Sequence, residues 1–307
     1  MSRSYPSRPP RAGQILLALV CAAGVLAGAF LLLCFLGVLS PARISQQVSA
    51  WLDPQPEAVS AAAPAQGVPA AQLEEEAAPL QTVFLPLDQL DQAEALAQGA
   101  DGLVLPMKTD DGALGYVSAI DLAADAGTSW AGLDRNQALR ELNDTPGLHT
   151  VAQVSCLRDD ALVQADPALA LQRVSGSAWR DEEGLAWLDP TDTQVQSYLA
   201  GVCQELAQLG FDEILLTNCA YPTQGAVETL ATTGARPQAL QTLCRRLQGA
   251  LADYDVTLSV QGQADAAQED PPSGQTSALL ATFGRVWAQQ DDQQALAVFQ
   301  PCLLPTP

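Results

Sequence analysis

The strongest constraint on the fold is an amphipathic helix followed at once by a short apolar strand, between Thr191 and Tyr221. Val195, Leu199, Val202, Leu206 and Leu209 recur at steps of four and three, the spacing of one helical face. Thr191 or Asp192 can cap its start, and Gly210 can take the positive φ that ends it. Ile214, Leu215 and Leu216 then form a continuous apolar run, which suits a strand buried on both faces of a parallel sheet. In such sheets ligands bind beyond the carboxyl ends of the strands, here near Thr217 to Tyr221.

The same alternation extends in both directions. Strands are expected at 82–87, 102–107, 150–156, 213–216, 256–260 and 285–288, with helices at 87–98, 134–142, 193–209, 239–251 and 277–283. Strands alternating with helices predict right-handed βαβ units and an α/β fold, a TIM-type parallel (β/α) barrel. Only residues 289–307 follow the sixth strand, so the last two units are not visible and the barrel is expected to be incomplete or open. Two long connections, 108–133 and 157–191, leave the carboxyl ends of strands, where functional loops belong.

Before this domain lies an uncharged, proline-free run from residue 15 to residue 39, longer than the about 20 residues that cross a bilayer. Arg3, Arg8 and Arg11 precede it and Arg43 alone follows closely. The positive-inside rule therefore predicts a cytoplasmic segment at 1–14, a single-pass transmembrane helix at 15–39 and an extracytoplasmic remainder at the cell membrane. A cleaved signal peptide has a shorter apolar core, about 7–15 residues. Gly24 and Gly28 form a Gly-x-x-x-Gly pair that can seat a homodimer of helices, although glycine is common in membrane helices in any case. Residues 40–80 are rich in Ala, Pro and Gln and read as a linker, leaving 81–307 as the folded domain.

Composition narrows the chemistry. The net charge is −21, with Lys108 the single lysine and His149 the single histidine. Nucleic acid is excluded as a partner because it demands a basic face. No Gly-x-x-x-x-Gly-Lys-Ser/Thr or Gly-x-Gly-x-x-Gly turn follows a strand, and no cofactor is expected. No histidine cluster or Cys-x-x-Cys pair points to a metal. Of seven cysteines, Cys21 and Cys34 fall in the apolar run. The five others, Cys156, Cys203, Cys219, Cys244 and Cys302, are odd in number and read as small buried hydrophobes rather than a disulfide framework; Cys156 and Cys219 would end neighbouring strands and Cys203 and Cys244 lie on successive helices, so pairing is open for each.

Three stretches carry a family resemblance. They are Trp179-Arg180-Asp181 through Gly184 to Trp187-Leu188-Asp189-Pro190, then Gly210-Phe211-Asp212-Glu213-Ile214 with Tyr221-Pro222, and the strand and turn from Gly102 to Gly112. Together they resemble a bacterial family of TIM-barrel glycoside-hydrolase-like proteins, often secreted or membrane-anchored, of which this chain is a divergent member. The resemblance runs from about Thr82 to Ala288. It implies a glycosidase-type site at the carboxyl ends of the strands. Acids that the family places there are absent: Pro106 and Thr109 stand in Pro106-Met107-Lys108-Thr109, Thr217 ends the fourth strand and Ser259 occupies the fifth. A family Arg is replaced by Ala220, and a Tyr by Asn218.

Those departures matter because most glycosidases need two carboxyl groups flanking the scissile bond, one as acid and one as base or nucleophile. Asp212 and Glu213 enter the fourth strand at the opposite end and do not substitute. The remaining catalytic candidates are Asp159, Asp110 and Asp181; each also reads as a loop cap or a solvated carboxylate. Lys108, Arg158, Trp179, Trp187 and Tyr221 are candidate ligand contacts, with Lys108 equally readable as a surface charge and the tryptophans as loop packing. Three functions follow. One is a membrane-anchored barrel that has lost hydrolysis and binds or assembles cell-surface or cell-wall polysaccharide. The second is an active glycosidase using displaced acids such as Asp159, and the third is a structural domain that binds another protein.

Overall fold

The computed structural model describes residues 80–130, 132, 134–231 and 234–306. The expected cytoplasmic segment, membrane helix, Gly24–Gly28 pair and nearly all of the linker lie outside the described residues. Among the described residues no helix is long and apolar enough to cross a membrane.

The domain is one parallel sheet of seven strands in sequence order. These are β1 (Thr82–Phe84), β2 (Gly102–Lys108), β3 (His149–Ser155), β4 (Glu213–Thr217), β5 (Thr257–Gln261), β6 (Arg285–Ala288) and β7 (Cys302–Leu303). Each strand pairs with the next in parallel, and no pairing joins β7 to β1 among the described residues. The sheet is an incomplete TIM-type barrel. The helices are α1 (Ala93–Leu96), α2 (Asp121–Asp125), α3 (Arg135–Asn143), α4 (Asp160–Ala165), α5 (Thr193–Gln208), α6 (Arg236–Ala250) and α7 (Ser277–Leu280).

α5 forms for the reasons its sequence supplies. Asp192 accepts from the backbone N–H groups of Gln194 and Val195, and Gly210 stands at φ +90° beyond the last turn. Val195, Leu199, Val202 and Leu206 are buried and pack in one core with Ile214 and Leu216 of β4. Burying such a side chain stabilises by about 1.5–3 kcal/mol, so Leu206→Ala would cost roughly 2–5 kcal/mol. On the other face of the sheet Val104, Val151, Leu215, Trp287 and Cys302 form a smaller core.

Pro106 sits inside β2, where it cannot donate to the ladder. The register shifts between Pro106 and Lys108, and such an irregularity is where a sheet accommodates proline. The expected loss of the last two units is corrected for one of them. β7 is present, reached through 3-10 turns at Gln290–Asp292 and Ala297–Phe299 instead of a helix. All five described cysteines are free and buried; the Cys219 and Cys244 sulfurs lie 3.8 Å apart, and Cys219 also hydrogen-bonds to Cys156.

The amino ends of the strands close on a buried carboxylate. Glu213, fully buried, accepts from the Trp287 indole at 2.7 Å, pairs with Arg285 and lies 3.0 Å from His149 Nε2. The expectation that Glu213 serves the frame and not the site agrees with this placement.

Candidate functional site

Beyond the carboxyl ends of β3 and β4 lies a cavity of about 320 Å³, lined by Arg158, Asp181, Trp187, Asn218, Tyr221 and Gln263 among others. Its volume is that of a small-ligand site. Arg158 leaves the end of β3 and organises the rim. Its Nη1 lies 2.6 Å from Asp110, its Nε 2.7 Å from Asp181 and its Nη2 2.8 Å from Glu183. One guanidinium thus holds three carboxylates, using the fork geometry that a lysine lacks.

Each acid reaches Arg158 for a local reason. Asp110 follows β2 directly, and its other oxygen accepts from Asn218 Nδ2 at 2.8 Å. Asn218 terminates β4 with φ +50°, a left-handed conformation that Asn tolerates better than most residues, and also donates to Ser155. Asp181 turns the hairpin that the isolated Arg180–Ala186 bridge closes, with Oδ1 accepting from the N–H groups of Glu183 and Leu185. Its Oδ2 accepts from Arg158 and from the Trp187 indole. Burial pushes the Asp181 carboxyl up, but the bonds from Trp187 and Arg158 prevail and hold it below the usual range. All four acceptor directions of Asp181 are therefore in use.

Asp159 does not face this cavity. It is fully buried, caps α4 by accepting from Leu162 N at 2.9 Å, and lies 2.9 Å from Lys108 Nζ. Lys108 also donates to the Ser155 carbonyl at 2.7 Å and is 1% exposed, so it is neither a surface charge nor a ligand contact. Trp179 is likewise buried. Its indole N–H donates to the Ala226 carbonyl and its ring meets Trp187 edge-on at 6.4 Å, so the loop-packing role holds for it. Trp187, Arg158 and Tyr221 do line the cavity. Burial, with Asp189 adding to it, pushes the Tyr221 phenol up to about 12, so it enters as a neutral hydroxyl.

The positions from which acids are missing divide. Thr217 ends β4, as expected, and Pro106 lies within β2. Ser259 is corrected: it is the buried middle residue of β5, bonded to the Ile214 carbonyl, and the strand ends two residues later at Gln261. Sequence reasoning placed Asn218 within the ligand-binding stretch without giving it a contact, and missed Gln263 as a lining residue and Glu183 as a rim acid. It also missed Gln275, whose buried amide bridges the Cys219 and Gln261 carbonyls while accepting from Gln263 N. Position just past a strand end was the available signal for Asn218 and Gln263; nothing local marked Gln275. Among the described residues no group of three or more His, Cys, Asp or Glu is arranged to hold a metal ion.

The family described as Putative glycosyl hydrolase domain matches residues 92–283, well over half of the chain. No curated protein matches the sequence. Among solved structures, a hypothetical protein from Ruminiclostridium thermocellum is 24% identical, with a TM-score of 0.52 over 58% of this chain and 96% of its own. The PgaB (BpsB) glycoside hydrolase domain from Bordetella bronchiseptica is 12% identical, with a TM-score of 0.53 over 72% of this chain and 81% of its own. A GH20 exo-β-N-acetylglucosaminidase from Vibrio harveyi, in complex with N-acetylglucosamine, is 11% identical, with a TM-score of 0.52 over 74% of this chain and 41% of its own. At these identities the likeness is one of fold.

Proposed function

We propose a function from one premise: the chain belongs to the Putative glycosyl hydrolase domain family. Its domain is glycoside-hydrolase-like. The cavity at the carboxyl ends of the strands binds carbohydrate and does not hydrolyse it.

The observation that carries this is the engagement of three rim carboxylates, Asp110, Asp181 and Glu183, by one guanidinium. A general acid must hold its proton at working pH, which usually means a raised pKa. Asp181 is shifted the other way. Asp159, the displaced acid that an active enzyme would need, is walled off with Lys108. Polar groups that suit sugar hydroxyls remain in the lining: Asn218, Tyr221, Thr223, Gln224 and Gln263. The arginine-flanked apolar run at 15–39 supports an anchored, extracytoplasmic placement, and so a cell-surface or cell-wall polysaccharide as ligand.

The test is retention of the full chain on a panel of immobilised polysaccharides, run beside an assay for new reducing ends. Retention without release is the expected result. Release that disappears in Asp110→Asn or Asp181→Asn would replace this function with an active glycosidase, and failure to bind any glycan would leave the protein-binding role.

A further inference from the structure

Three buried thiols lie next to residues of the cavity wall or to one another. Cys156 stands two residues before Arg158, Cys219 lies between the lining residues Asn218 and Ala220, and Cys244 is on α6. The Cys219 and Cys244 sulfurs are 3.8 Å apart, and both residues are 1% exposed. Cys156 also hydrogen-bonds to Cys219.

We propose that Cys219 and Cys244 are a covalent cross-linking site, a disulfide that ties the wall of the cavity to α6. The proposal stands on the thiol geometry and does not depend on what the cavity binds. A disulfide requires the sulfurs to close to about 2.05 Å, which side-chain rotation with a small shift of one element can achieve. α6 packs through Leu240, Leu243 and Leu247, all fully buried, so closing the bond requires a small repacking of these leucines. The Cys156–Cys219 pair has less freedom, because beside it the ends of β3 and β4 are joined by Cys156 N to the Thr217 carbonyl at 2.8 Å and Leu157 N to the Asn218 carbonyl at 3.2 Å.

The chemistry is a two-electron exchange. Each thiol loses a proton and an electron, and a low-molecular-weight or protein disulfide accepts both electrons, breaks its S–S bond and leaves as two thiols. The Cys156 bond lowers the Cys219 thiol, but Cys244 and burial together push it well above the ordinary value. Thiolate is the attacking species, so exchange is slow in the folded domain and belongs to folding or to transient opening. Once formed, the bond closes a loop between residues 25 apart in sequence. It also fixes the backbone whose Cys219 carbonyl accepts from Gln275.

The test is refolding of the full chain in a glutathione redox buffer, alkylation of remaining thiols, and peptide mapping by mass spectrometry. The expected product is a Cys219–Cys244 linked peptide, lighter by two hydrogens than the two free peptides. Reduction should then lower the Tm by about 5–10 °C in the parent protein and leave Cys244→Ala unmoved. Five alkylated cysteines in the described domain would overturn the proposal, as would links to Cys156 or Cys203. A linked protein whose Tm ignores reductant would remove the tying role.

Discussion

The Lys108 ammonium lies 2.9 Å from the Asp159 carboxylate, and solvent reaches neither side chain. A buried pair of this kind is weak evidence of net stabilisation, yet removing one partner strands a charge and costs about 3–5 kcal/mol. Lys108→Met should therefore lower the Tm by about 10 °C or more. Adding Asp159→Asn, which keeps the cap on Leu162, should recover part of the loss. A Tm unchanged in Lys108→Met would mean the pair does not bind the ends of β2 and β3 together.

The Gly112 turn packs against the same aspartate. Its φ is +97°, and a Cβ there would stand 2.1 Å from Asp159 Oδ1. Gly112→Ala should destabilise by about 1–3 kcal/mol, read as a shift in the urea midpoint at constant slope. A neutral outcome would show that the turn and Asp159 move apart freely.

Glu213 gives the domain a pH dependence of predictable sign. Burial raises its pKa, but His149, Ser259, Arg285 and Trp287 together bring it below the ordinary value. A depressed carboxylate contributes stability that is fully present above the unfolded pKa, about 4.3, and is lost as the pH falls through the folded value. Glu213→Gln should be less stable than the parent at pH 7, and the gap should narrow on acidification below about pH 4. Denaturant titrations across that range decide the matter; a gap independent of pH would refute the assignment.

Arg158 is the substitution that separates binding from folding. Arg158→Lys keeps the charge but offers one nitrogen where the guanidinium offers three, Nη1, Nε and Nη2, to Asp110, Asp181 and Glu183. Glycan retention should fall at least tenfold, a loss of about 1.4 kcal/mol, with a much smaller change in Tm. NMR titration of the Asp181 carboxyl should show its pKa moving up. Retention and Asp181 titration both unchanged would place Arg158 outside the binding machinery.

Helix and strand were legible where one face of a segment repeats. α5 runs Thr193–Gln208 against the 193–209 read from the spacing of its apolar residues, and Asp192 is the cap. β7 escaped because two residues carry no period. The fate of the acids was hidden for a different reason. Arg158 meets Asp110 and Asp181 across separations of 48 and 23 residues, and composition cannot say that acids from two connections converge on one guanidinium. Ser259 was misplaced because a motif match fixes order along the chain but not where a strand stops. Trp179 on a loop reads equally as sugar platform or packing, and only its burial decides.

The guanidinium of Arg158 has a consequence for traffic into the cavity. It fastens the turn after β2 to the hairpin after β3, and Asn218 joins the end of β4 to the same knot through Asp110. None of these segments can swing outward by itself without breaking a charged bond. The wall from Tyr221 to Gln224 and Gln263 carries no ion pair among the described residues, so it is the side of the cavity that can shift without breaking one.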